Sequence, residues 1–195
     1  NPPAAFVELG LASCFSFLRG ASDAGELVQQ ACAQGHHALG VADLNTFAGV
    51  VRLHTAAKQA RLRPLIGVRL ALVSGEEFLA YPTDRAAYGR LSRLLSKGKM
   101  QDTKGRWQAK GACDITLADM AAHCDGVILI ALPPEDLRGF ARVLAGLKQR
   151  LPGLGYLAAA YRYRGDDRAR INRLDRIAGQ AGLRLLATNY VHYHA

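Results

Sequence analysis

Short apolar runs alternate with amphipathic segments along almost the whole chain, and this alternation restricts the fold more than any other feature. Runs at 6–11, 37–43, 61–73, 78–82, 126–132, 156–163 and 183–191 read as strands. Between them, 21–35, 46–60, 84–98, 116–124, 133–151 and 166–182 read as helices. Strand followed by helix, repeated, is the pattern of parallel βα units. Six or seven such units predict an α/β protein, a distorted (β/α)7 TIM-like barrel, with function at the C-terminal ends of the strands.

Several helix ends are marked. Asp23 followed by Glu26 fits a capping box and Gly35 a C-cap; Thr116 and Asp119 suit the start of a short helix. A proline opens the 133–151 helix. The helical spacing turns Leu27, Val28, Ala31 and Cys32 inward, then Val50, Val51, Leu53 and His54, then Tyr88, Leu91, Leu94 and Leu95.

With 195 residues, 50% of them hydrophobic, the chain can bury a core as one domain. Lys and Arg number 25 against 16 Asp and Glu, a net charge of +9, which favours polyanions such as nucleic acid. Charge alone names no partner, so a basic domain that touches no nucleic acid is an equal reading. Cys14, Cys32, Cys113 and Cys124 form no CxxC pair, which points to reduced, buried thiols. No apolar run reaches the length of a membrane span, so no membrane partner and a cytoplasmic location are expected.

Three phrases carry a family likeness: FVELGLASCFSFLRG at 6–20, GVADLNTFAGVV at 40–51 and LLATNYVHYH at 185–194. Together they resemble the strand ends of a PHP domain, the fold at the N-terminus of bacterial C-family DNA polymerases. FSFLRGAS, AGVVRLH and YPTDRAAYGRLSRLLS are most similar to the error-prone branch, relatives of the polymerase III alpha subunit. The resemblance covers essentially residues 1–195 and implies an irregular (β/α) barrel.

It also implies a site in which His and carboxylate side chains hold two or three divalent metals. Here the positions matching that site are largely emptied. Gly10 and Ala12 stand where the family has a His-x-His pair, Arg19 where it has an Asp, Leu44 where it has a His, and Arg69 where it has a Glu. Pro133 aligns with a Cys or His, and Tyr190 with an Asp; Asp43 and His192 survive. Two arginines would repel a divalent cation. One expectation is that Arg19 and Arg69 pair with Glu8 and Asp43 as an internal ion-pair network. A bound anion is the bolder version, and arginines facing solvent the plainer one.

Residues 97–112 read as a basic inserted loop. Lys97, Lys99, Lys104, Arg106 and Lys110 surround Trp107, a set suited to phosphate contact and base stacking, or to a solvated loop. Arg162, Arg164, Arg168, Arg170, Arg173 and Arg176 read as a helix surface with local ion pairs to Asp166, Asp167 and Asp175. His36, His37 and His123 read as solvated, and His192 and His194 as structural.

The resemblance therefore implies the PHP domain of a bacterial error-prone DNA-directed DNA polymerase serving translesion synthesis and repair. The domain itself is expected to be inactive and to need no cofactor, with Mg2+ used by the parent polymerase. Expected partners are the palm and thumb of that chain, DNA, and other replication or damage-response proteins. The alternative is an active metal-dependent phosphoesterase, either a proofreading 3′–5′ exonuclease or a pyrophosphatase; a third reading is an independent DNA-binding module.

Overall fold

In the computed structural model, residues 6–16 and 20–189 are described, and they divide into two compact units. Among the described residues no helix is long and apolar enough to cross a membrane.

The first unit runs to Arg69 and resumes at Thr188. Helix α1 (Ala24–Ala33) starts at the capping box of Asp23 and Glu26, both halves of which are formed. It ends in a Schellman motif: Gly35 N–H donates to the Cys32 carbonyl and His36 N–H to that of Ala31, with Gly35 at φ 77°. Strand β1 (Ala38–Leu44) leads through Asn45 to α2 (Val50–Gln59), and β2 (Arg63–Ala71) then pairs parallel with β1, Ala38 opposite Arg63 and Leu44 opposite Arg69. Leu27, Val28 and Ala31 of α1 meet Leu53 and Ala57 of α2, with Leu39 and Val41 of β1 in the same core.

The expected inward set needs correction. Cys32 is exposed, and so are Val51, at 75%, and His54, because α2 turns Leu53 and Ala57 to the core. Residues 6–11 do not form a regular strand. They run beside β1 through a parallel bridge at Leu11–Val41 and through donation by Gly40 N–H and Ala42 N–H to the carbonyls of Glu8 and Leu11.

The second unit spans Leu70–Ala187. It contains β3 (Glu77–Pro82), α3 (Arg85–Met100), α4 (Leu117–His123), β4 (Val127–Leu132), α5 (Phe140–Arg150), β5 (Leu154–Ala159), α6 (Asp167–Gln180) and β6 (Arg184–Ala187). β4, β5 and β6 pair parallel in that order, but β3 pairs antiparallel with β4, Glu77 opposite Leu132. The uniform parallel series is broken here for a local reason. Residues 72–76 close a tight turn, with Leu72 N–H donating to the Glu76 carbonyl and Gly75 at φ 101°, and so few residues cannot make a parallel crossover.

Three further boundaries differ from expectation. Helix α5 begins at Phe140 because Gly139, at φ 72°, is its left-handed N-cap, so 133–139 is a loop and not a first turn. Helix α3 continues to Met100 because Leu94, Leu95 and Gly98 extend its buried stripe; Lys97 and Lys99 therefore sit in its last turn, outside any loop. Thr116 and Asp119 form the expected capping box of α4.

Candidate functional site

Asp43 stands near the end of β1, where a βα protein gathers its chemistry, and it is only 3% exposed. Its carboxylate is the hub of the segment that follows Leu11. Oδ1 accepts from Ser13 N–H at 2.8 Å and from Ser16 Oγ–H at 2.7 Å; Oδ2 accepts from Ser13 Oγ–H at 2.7 Å. Each hydroxyl also accepts in turn. Ser16 Oγ takes Leu44 N–H at 3.0 Å and Ser13 Oγ takes Phe15 N–H at 3.3 Å. The loop is thus clasped to the end of β1 by a closed set of hydrogen bonds.

Two glycines make room for the clasp. A Cβ on Gly20 would lie 2.0 Å from the Ser13 carbonyl oxygen, and one on Gly49 would lie 2.9 Å from Asp43 Oδ2 and from the Phe15 ring. Beyond Phe15, the Arg52 guanidinium lies 5.5 Å from the ring centroid, a cation–π contact.

Glu8 is the second buried acid of this unit, also 3% exposed. It accepts from Gly10 N–H, Thr188 Oγ–H and Asn189 N–H, the last at 2.7 Å. A residue near the start of the chain thereby fixes the segment 188–189. Among the described residues every buried side-chain N or O has a hydrogen-bond partner, and no three His, Cys, Asp or Glu side chains are grouped to hold a metal ion.

The positions at which the resemblance would put metal ligands are distributed over the chain. Gly10 and Ala12 are buried beside Glu8 and Ser13, and Leu44 lies opposite Arg69, whose carbonyl accepts Asn45 N–H at 2.8 Å. Pro133 directly follows β4 in the second unit. Arg19, Tyr190, His192 and His194 lie outside the described residues. Sequence reasoning missed Ser13, Ser16 and Thr188 because a lone hydroxyl in a loop carries no periodic signal. The S-x-x-S spacing ahead of a buried Asp was the available clue.

The basic segment is more tied than its composition suggests. Lys97 pairs with Asp119, and Arg106 reaches Asp102 at 2.8 Å. Asp102 also accepts Lys104 N–H and Arg106 N–H, closing a turn that leaves Trp107 81% exposed. The Arg106 amide and guanidinium hold the Asp102 carboxyl below its usual range. Burial pushes the Cys113 thiol up and outweighs the opposing effect of the Lys99 charge. Burial raises Cys124 to about 12. Of the four thiols, then, Cys124 is buried as expected, whereas Cys14 and Cys32 are exposed. His123 Nδ1 lies 2.8 Å from the Asp119 carbonyl, so it is hydrogen-bonded within its own helix.

Residues 8–178 match the family described as PHP domain. The chain belongs to the PHP domain family. An error-prone DNA polymerase of Bradyrhizobium diazoefficiens is 43% identical over 201 residues, taking in 100% of this PHP domain and 17% of that protein. One from Rhodopseudomonas palustris is 43% identical over 199 residues, with 97% and 17% covered. This PHP domain thus spans about 17% of the length of those curated relatives. Among solved structures, a protein from Bifidobacterium adolescentis proposed to be a metal-dependent phosphoesterase matches with a TM-score of 0.71 at 16% identity, over 98% of this chain and 89% of that one. An amidohydrolase from Chromobacterium violaceum, holding sulfate and no metal, matches with a TM-score of 0.67 at 15% identity, over 96% and 87%. These likenesses concern the fold.

Proposed function

We propose that this PHP domain is a non-catalytic supporting part of an error-prone DNA polymerase that copies damaged DNA, with an irregular (β/α)7 barrel as its architecture. The relatives support the polymerase; one observation supports the loss of catalysis. Asp43, the acid kept from the family's metal set, spends both oxygens on Ser13 and Ser16. A carboxylate that already accepts three hydrogen bonds has one lone-pair site left, so binding an ion through both oxygens would break bonds of the clasp. Gly10 and Ala12 offer no ligand atom on their side chains, and arginine at positions 19 and 69 adds charge of the wrong sign. The domain then serves through its packing against the palm and thumb of the longer chain. DNA is a further partner, met in part through the exposed Trp107 and the lysines around it.

The test is hydrolysis of a phosphodiester and of pyrophosphate by the full-length protein with manganese, run beside templated DNA synthesis. Synthesis without any hydrolysis sensitive to His192→Ala supports the reading. Hydrolysis abolished by that substitution overturns it in favour of an active phosphoesterase.

A further inference from the structure

Residues 161–164 read Tyr-Arg-Tyr-Arg, and the structure separates the two residue types. Both arginines turn to one carboxylate: Arg162 pairs with Glu135 Oε2, and Arg164 reaches Oε1 at 2.6 Å. Arg170 adds a third guanidinium, donating to the backbone carbonyls of Pro134 and Glu135. The tyrosines meet each other, ring centroids 5.0 Å apart at 73°, and stay in solvent, Tyr161 at 52% and Tyr163 at 89% exposure.

The backbone that presents them is tied down at two points. Asp167, buried at 2% exposure, accepts Arg162 N–H at 2.6 Å and Arg164 N–H at 2.8 Å, and Tyr163 between them is held at φ 57°. The two rings are adjacent, so together they form an exposed aromatic patch and not a scattered single residue. Three guanidinium groups around one carboxylate leave that side of the loop positive, and residues 160–176 hold six arginines against three aspartates.

The geometry points to a contact site for single-stranded nucleic acid, in which Tyr161 and Tyr163 stack on bases while the arginine-rich side faces the phosphates. Aromatic platforms beside positive charge are how sequence-tolerant single-strand sites are built. The match of charge favours a polyanion, and the exposed ring faces favour one that carries bases. Whether or not the domain is catalytic does not enter.

The probe is an oligothymidylate substituted with iodouracil, irradiated with the full-length protein and followed by peptide mapping. Adducts at Tyr161 or Tyr163 are expected, competed by unlabelled single strand and reduced by salt. Tyr163→Phe should keep the adduct at Tyr161, whereas Tyr163→Gly, which suits the positive φ, should lower its yield by at least about fivefold. Because adducts are located by position, DNA bound elsewhere on the longer chain does not mask the result. Adducts confined to other segments, or a Tyr161 yield unchanged by Tyr163→Gly, would overturn the assignment. Competition by polyglutamate as strong as by single strand would overturn it too, in favour of an acidic protein segment.

Discussion

Asp43 and Asp167 do the same work in the two units with different donors. Each is a buried carboxylate that pins a neighbouring loop, at 3% and 2% exposure. Asp43 takes two hydroxyls and one amide, all from Ser13 and Ser16; Asp167 takes the amides of Arg162 and Arg164. Amides are present whatever the sequence, so the second clasp depends on one side chain. The first depends on three, those of Asp43, Ser13 and Ser16.

The largest effects should come from breaking the first clasp. Asp43→Ala strands three donors in a buried loop and should cost about 3 kcal/mol in urea unfolding, with Asp43→Asn near half of that. Gly20→Ala should be comparably severe, since its Cβ would press on the backbone oxygen of Ser13 at 2.0 Å. If Asp43→Ala proves as mild as a surface substitution, the clasp is not what orders this segment.

Removing one hydroxyl sharpens the comparison. Ser16→Ala leaves Leu44 N–H without its acceptor and should cost about 1–2 kcal/mol; Ser13→Ala should cost about 1 kcal/mol.

Asp167 should show itself through pH. The Arg162 amide, with those of Arg164 and Gly165, holds its carboxyl below the usual range against the opposing effect of burial. Its contribution is therefore full above the unfolded value of about 3.9 and is lost as pH falls through the lower folded value. Acid unfolding of the Asp167→Asn variant should lack that component, and identical acid curves for the two proteins would contradict the assignment.

The smallest effect concerns reactivity. Exposed Cys14 and Cys32 should be alkylated by iodoacetamide well before Cys124, whose buried thiol is pushed up to about 12. Rapid labelling of Cys124 in the native state would mean that the 116–127 region opens readily.

Features set by local chemistry were legible in the sequence. The capping boxes at Asp23 and Thr116 form as read, and most of the alternating elements exist. Features set by a glycine in the left-handed region, or by partners distant in sequence, were not. The direction of β3 hinges on the Ser74–Gly75 turn, which apolar runs on both sides disguise as a continued βα series. The 133–151 segment kept helical periodicity from its first residues, yet the left-handed Gly139 delays the helix to Phe140. Arg162 and Arg164 find Glu135, 27 and 29 positions away, ahead of the aspartates nearby in sequence. At the candidate site, it was readable residue by residue that Gly10, Ala12 and Leu44 carry no side-chain ligand atom. The serine clasp was not, because Ser13 and Ser16 gain meaning only once the loop folds back on β1.

The most direct test is a calorimetric titration of the full-length protein and its Asp43→Asn variant with manganese and zinc, under conditions where any metal site of the proposed polymerase is already saturated. No further stoichiometric uptake and no difference between the two proteins are expected. Uptake of two or more additional ions, lost in the variant, would mean that the serine clasp opens to metal and that the domain keeps a working site.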